Sequence, residues 1–147
     1  MNPIDEWLVE LNEEEVVASF ADVLACVQRA ESLSEGRLWV GKNAGLSPWW
    51  YRWLGMNRRY VEPIFSLEWY SGTAALIFHD ENWSEYRALR SEKGFFIPEN
   101  IRSKISHGEA TPPESEECIA KEKAFEAIRE VLCKGVRPEW LSYRFVE

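Results

Sequence analysis

The segment from residue 114 to residue 146 leaves the least freedom to whatever fold contains it. Ala120, Ala124, Phe125, Ala127, Ile128, Val131 and Leu132 make a broad apolar stripe at helical spacing, a face that requires a packing partner. Glu114, Glu116 and Glu117 precede it and Lys134 ends it, as the helix dipole favours. Gly135 supplies a left-handed cap and Pro138 forbids continuation. Beyond them Leu141, Tyr143 and Phe145 alternate with Ser142, Arg144 and Val146, which predicts a closing strand.

The partner for that stripe is predicted upstream. Residues 64–70, Ile-Phe-Ser-Leu-Glu-Trp-Tyr, are rich in strand formers, Ser71-Gly72 is a turn signal, and residues 73–78 form a second run, giving a hairpin. Alternation puts Glu68 on one face and Leu67 and Trp69 on the other. Asp80-Glu81-Asn82 breaks the hairpin, and residues 83–89 read as a third strand. Near the N-terminus, Phe20, Val23, Leu24, Val27 and Ala30 predict a helix over about 20–33, with Ser19 and Asp22 placed as a capping box and Gly36 just beyond.

Residues 1–15 read as a loosely packed arm or short first turn, with Val16 and Val17 as a strand edge. Residues 37–40 read as a short strand, residues 41–45 with their two glycines as a loop, and residues 91–115 as mostly loop. The expected fold is α+β: one domain over residues 1–147, with an antiparallel sheet packed on one face by an N-terminal and a C-terminal helix. A chain of 147 residues buries about two-thirds of its unfolded surface and needs no disulfide or metal staple.

Twenty-five Asp and Glu face 17 Lys and Arg, a net charge of −8. Such a surface repels phosphate backbones and favours a basic protein partner, so direct nucleic-acid binding is not expected. Cys26, Cys118 and Cys133 lack metal-ligand spacing, and read as reduced core thiols, Cys26 and Cys133 on apolar helix faces. The acidic start lacks the basic and apolar regions of a signal peptide, and no apolar run reaches membrane length, so a cytoplasmic protein is expected.

Catalytic signals are sparse. The two histidines are His79, beside Asp80-Glu81, and His107, in a Pro/Gly-rich stretch. No Walker, GxGxxG, GxSxG or HExxH pattern occurs. A Ser–His or Cys–His pair formed in space stays open at this level. His79, Asp80, Glu81 and Glu85 lack the alternating donors of a calcium loop, and neither cofactor nor metal is expected. The densest aromatic run, Trp49-Trp50-Tyr51-Arg52-Trp53, suits a hydrophobic lid first, a protein interface second and sugar stacking third.

The C-terminal half resembles a known family. Pro112-Pro113-Glu114-Ser115, the helix from Ala120 to Cys133, Gly135-Val136-Arg137-Pro138 and Leu141-Ser142-Tyr143 resemble the ending of the first numbered family of immunity proteins of bacterial polymorphic-toxin systems. The strand pair 64–78, with Leu67-Glu68-Trp69, is similar to that family's central strands. Tyr143 stands where the family has Trp, and Trp140 lies three residues earlier. The resemblance implies a cytoplasmic, non-catalytic protein that binds one cognate toxin domain, a nuclease or deaminase with a basic cleft, and occludes its active site or another essential surface.

Candidate toxin-binding residues are Trp49, Trp50, Arg52 and Trp53 from the aromatic run, and Glu62, Glu68, Asp80, Glu81 and Glu85 from the strand region. The alternative is a small enzyme or ligand-binding domain with a Trp-lined pocket.

Overall fold

The computed structural model describes residues 7–46, 59–91, 96–106 and 111–147. In chain order the elements are β1 (Trp7–Leu11), β2 (Glu14–Ala18), α1 (Phe20–Glu31), β3 (Glu35–Leu46), β4 (Arg59–Tyr70), β5 (Thr73–His79), β6 (Glu85–Leu89), α2 (Glu99–Ile105), a 3-10 turn (Ser115–Glu117), β7 (Ile119–Ala120), α3 (Lys121–Lys134) and β8 (Ser142–Val146). The strands make one antiparallel sheet in the order β2-β1-β3-β4-β5-β6-β8, with the short β7 beside β5. The fold is α+β.

Period-two alternation builds the core. Leu38, Val40, Phe65, Leu67, Trp69, Ala74, Leu76, Phe78 and Ala88 project from one face and are buried against Val23, Val27 and Ala30 of α1 and Ala124, Phe125 and Ile128 of α3. Each fully buried Leu or Phe contributes about 1.5–3 kcal/mol by leaving water. Trp69 is fully buried, meets Phe125 edge-on at 5.3 Å, and donates its indole N–H to the Leu33 carbonyl at 2.9 Å. The predicted caps form: Asp22 N–H donates to Ser19 Oγ at 3.3 Å, and Gly135 ends α3 at φ 77°.

Several expectations are corrected. Residues 7–18 are a hairpin and not an arm. Its turn, Asn12-Glu13, has positive φ at both positions, and Asn12 Oδ1 accepts the Arg37 N–H at 2.9 Å, fixing the hairpin to β3. β3 does not stop at Val40. It runs to Leu46, and its glycines flank register shifts between Val40 and Gly41 and between Asn43 and Gly45, so they mark bulges and not a loop.

Residues 91–115 include a helix, α2, entered from Pro98, whose fixed φ suits a helix start. Helix α2 also changes the expected layering. Its Lys104 sits over the Tyr70 ring at 5.1 Å, and Ile105 and Ser106 share a cleft with Glu68, Ala75 and Ile77. Helices α1 and α3 thus cover one face, while α2 and the 111–117 segment cover part of the other. Cys118, not Cys133, is the buried thiol; Cys133 is exposed and Cys26 intermediate. Burial pushes Cys118 up to about 11, so it stays protonated.

Candidate functional site

The face turned away from α1 and α3 carries a register row that crosses seven strands: Glu15, Glu10, Trp39, Ser66, Ile77, Arg87 and Arg144. Pairing register alone puts these side chains on one face, and the row divides into two electrostatic halves.

On the β6–β8 side the cations are matched. Arg87 donates to Glu85 at 2.7 Å and to Glu117 at 3.1 Å, and Arg144 donates to Glu114 at 2.7 Å and Glu116 at 2.8 Å. Glu117 is only 4% exposed, so the 3-10 turn is fastened to the sheet through a buried carboxylate with two guanidinium partners.

On the β1–β3 side the carboxylates are in excess. Glu10 is partly buried, Glu13, Glu14 and Glu15 are exposed, and none of the four has a cationic partner among the described residues. Glu10, Glu13, Arg37, Trp39, Ser66 and Glu68 line a cleft of about 520 Å³. Among the described residues that line it, the one cation is Arg37, 3.7 Å from Glu68.

The middle of this face is aromatic. The ring of Trp83 lies 6.5 Å from that of Trp39 at an interplanar angle of 12°, and 6.1 Å from His79. Trp83 is 55% exposed, yet its backbone is held at φ 64°, an uncommon conformation for a bulky side chain. The turn 80–84 imposes it: Asp80 Oδ1 accepts the N–H groups of Asn82 at 2.9 Å and Ser84 at 3.0 Å, and Asp80 Oδ2 accepts the Tyr86 hydroxyl at 3.3 Å. This turn also delays the third strand, which starts at Glu85 and not at Trp83.

Ser66 Oγ and His79 Nε2 are 2.9 Å apart. His79 Nδ1 is buried without a partner, so no carboxylate among the described residues orients the ring as a general base would need. Burial lowers the His79 pKa, with Glu85 and Asp80 acting in the opposite sense, so the ring is neutral at pH 7. Among the described residues no group of three or more His, Cys, Asp or Glu is placed to hold a metal ion.

The predicted site residues separate. Glu68 and Glu85 lie on this open face, each beside an arginine. Glu81 is exposed at the turn tip. Asp80 is half-buried, and its carboxylate builds the turn by accepting from Asn82, Ser84 and Tyr86. Glu62 is in register with Lys42 and Trp7, on the helix-covered side, and does not join the others. There, Trp7, Lys42, Glu62, Arg137 and Tyr143 border a cleft of about 870 Å³. Trp49, Trp50, Arg52, Trp53 and His107 lie outside the described residues. Sequence reasoning missed Trp39, Trp83, Glu10 and Glu13. The signal for Trp39 was present: it alternates with Leu38 and Val40 in a strand whose inner positions are apolar.

No described helix is long and apolar enough to cross a membrane. No family model matches the chain, and no curated protein matches it.

Proposed function

We propose that this chain is an immunity protein, which binds a cognate bacterial toxin domain in the cytoplasm and neutralises it by covering its active site or another surface it needs. The observation that carries the reading is the asymmetry of the sheet. One face is buried by α1 and α3, while the other keeps an exposed tryptophan stacked on a second one beside carboxylates that have no described cation. Aromatic residues within a charged rim are the usual anatomy of a protein-binding surface. A net charge of −8 suits a nuclease or deaminase whose cleft is basic, and speeds the encounter. The similarity of the C-terminal half to an immunity-protein family points the same way.

The test is co-expression with the product of the open reading frame immediately upstream, on the expectation that it ends in a toxic domain. Rescued growth and a co-purifying complex are expected; unrelieved toxicity without a complex would overturn the reading. A second reading, a ligand-binding domain, rests on the cleft of about 870 Å³ bordered by Trp7, Arg137 and Tyr143. It requires that substitutions there, such as Arg137→Ala, abolish activity while those at Trp39 do not.

A further inference from the structure

We infer that the open face of the sheet is a docking site for an arginine presented by a basic protein, with the guanidinium seated between Trp39 and the carboxylates of Glu10 and Glu13. This rests on the reading of the chain as a protein binder and adds the place and the chemistry of the contact.

Three observations carry it. First, among the described residues the cleft that Trp39 lines holds three carboxylates, from Glu10, Glu13 and Glu68, against the guanidinium of Arg37. Arg37 pairs with Glu68 at 3.7 Å, and no described cation lies within ion-pair distance of Glu10 or Glu13. Second, the Trp39 indole forms a wall of the same cleft. A planar guanidinium stacks on an indole while its edge N–H groups reach carboxylates, a combination that the compact ammonium of lysine does not reproduce. Third, Trp83 keeps more than half its surface in water in a left-handed backbone conformation, parallel to Trp39. Asp80 Oδ1 accepts from the Asn82 and Ser84 N–H groups on either side of Trp83 and holds the ring in this position.

The charge pattern selects the partner. Among the described residues, Arg87 and Arg144 on the β6–β8 side are matched by carboxylates, while Glu10, Glu13, Glu14 and Glu15 of the β1–β2 hairpin are not, so the hairpin end of the face is the acidic one. Nucleic acid is repelled and a basic protein attracted.

The experiment titrates the full-length protein with an end-blocked tetra-arginine peptide and follows the indole N–H resonances, with Trp39→Phe and Trp83→Phe used for assignment. Saturable shifts at Trp39 and Trp83 are expected, with affinity weakened about fivefold or more by Glu10→Gln with Glu13→Gln. Tetra-lysine is expected to bind more weakly. Glu122→Gln with Glu126→Gln on the exposed side of α3 is expected to change nothing. Absence of saturable shifts at these two indoles, or equal loss in the α3 variant, would overturn the proposal. The same variants in the growth-rescue assay separate the two claims. Peptide binding without rescue keeps the docking site and removes the toxin-inhibitor reading; rescue that survives both Trp39→Ala and the Glu10/Glu13 variant removes the docking site.

Discussion

Gly36 and Trp69 face each other across β3 and β4, and the indole fills the space a side chain at Gly36 would need. A Cβ there would lie 2.7 Å from Trp69 Cζ2 and 2.9 Å from Asn12 Oδ1. Since Trp69 is fully buried against Phe125 and tied to Leu33, it has nowhere to move. Gly36→Ala is therefore expected to destabilise the protein by about 2 kcal/mol, read from urea midpoints. Adding Trp69→Phe, which shortens the ring, should cost less than the two single changes summed, whereas strict additivity would mean that the two residues do not compete for space.

The buried Glu117 links the sheet to the segment that precedes α3. It accepts from Arg87 and from the Glu114 N–H at 3.1 Å, and lies 3.6 Å from Arg144. Glu117→Ala removes these charge-assisted contacts and is expected to cost about 2 kcal/mol. The exposed Glu116→Ala should cost well under half of that, because a surface ion pair contributes little. Equal losses would show that burial adds nothing to the Glu117 contacts.

His79 makes stability depend on pH. Burial lowers its pKa in the folded state below the ordinary 6.5. The unfolded chain therefore takes up the proton first as pH falls, and protonation favours unfolding. Its contribution is full above about pH 6.5 and declines as the pH drops from there through the folded pKa. Urea midpoints of the wild type should fall more steeply between pH 7 and pH 5 than those of His79→Gln. Parallel profiles would contradict the lowered pKa.

Trp83 separates stability from binding. Trp83→Gly releases a left-handed backbone, worth about 1–2 kcal/mol, and loses a ring contact with Trp39 worth about 1 kcal/mol. The two nearly cancel, so the melting temperature should change by only a few degrees while partner binding weakens. A large destabilisation with unaltered binding would make Trp83 a packing residue.

Much of the fold is legible in the sequence where two local signals agree. Helix α3 has a stripe, a charge gradient and a Gly/Pro stop, and the β4–β5 hairpin has two strand-forming runs about Ser71-Gly72. The hairpin of residues 7–18 is hidden because its turn is Asn12-Glu13: the second position takes positive φ without the glycine that signals it. The length of β3 is hidden because Gly41 and Gly45 serve bulges and read as loop. The open face is legible only in part. Glu68 is placed by alternation, but the meeting of Glu10, Trp39, Ser66 and Ile77 depends on pairing strands far apart in sequence. Trp83 depends on an Asp80 turn whose consequence for its backbone is not local to the tryptophan.

The most direct measurement is growth of cells expressing the product of the open reading frame immediately upstream, the proposed toxin, with this protein either wild-type or carrying Trp39→Ala and Glu13→Gln together, at matched levels of folded protein. Full rescue by the wild type and loss of rescue by the variant are expected. Failure of the wild type to rescue growth would contradict a role in toxin inhibition.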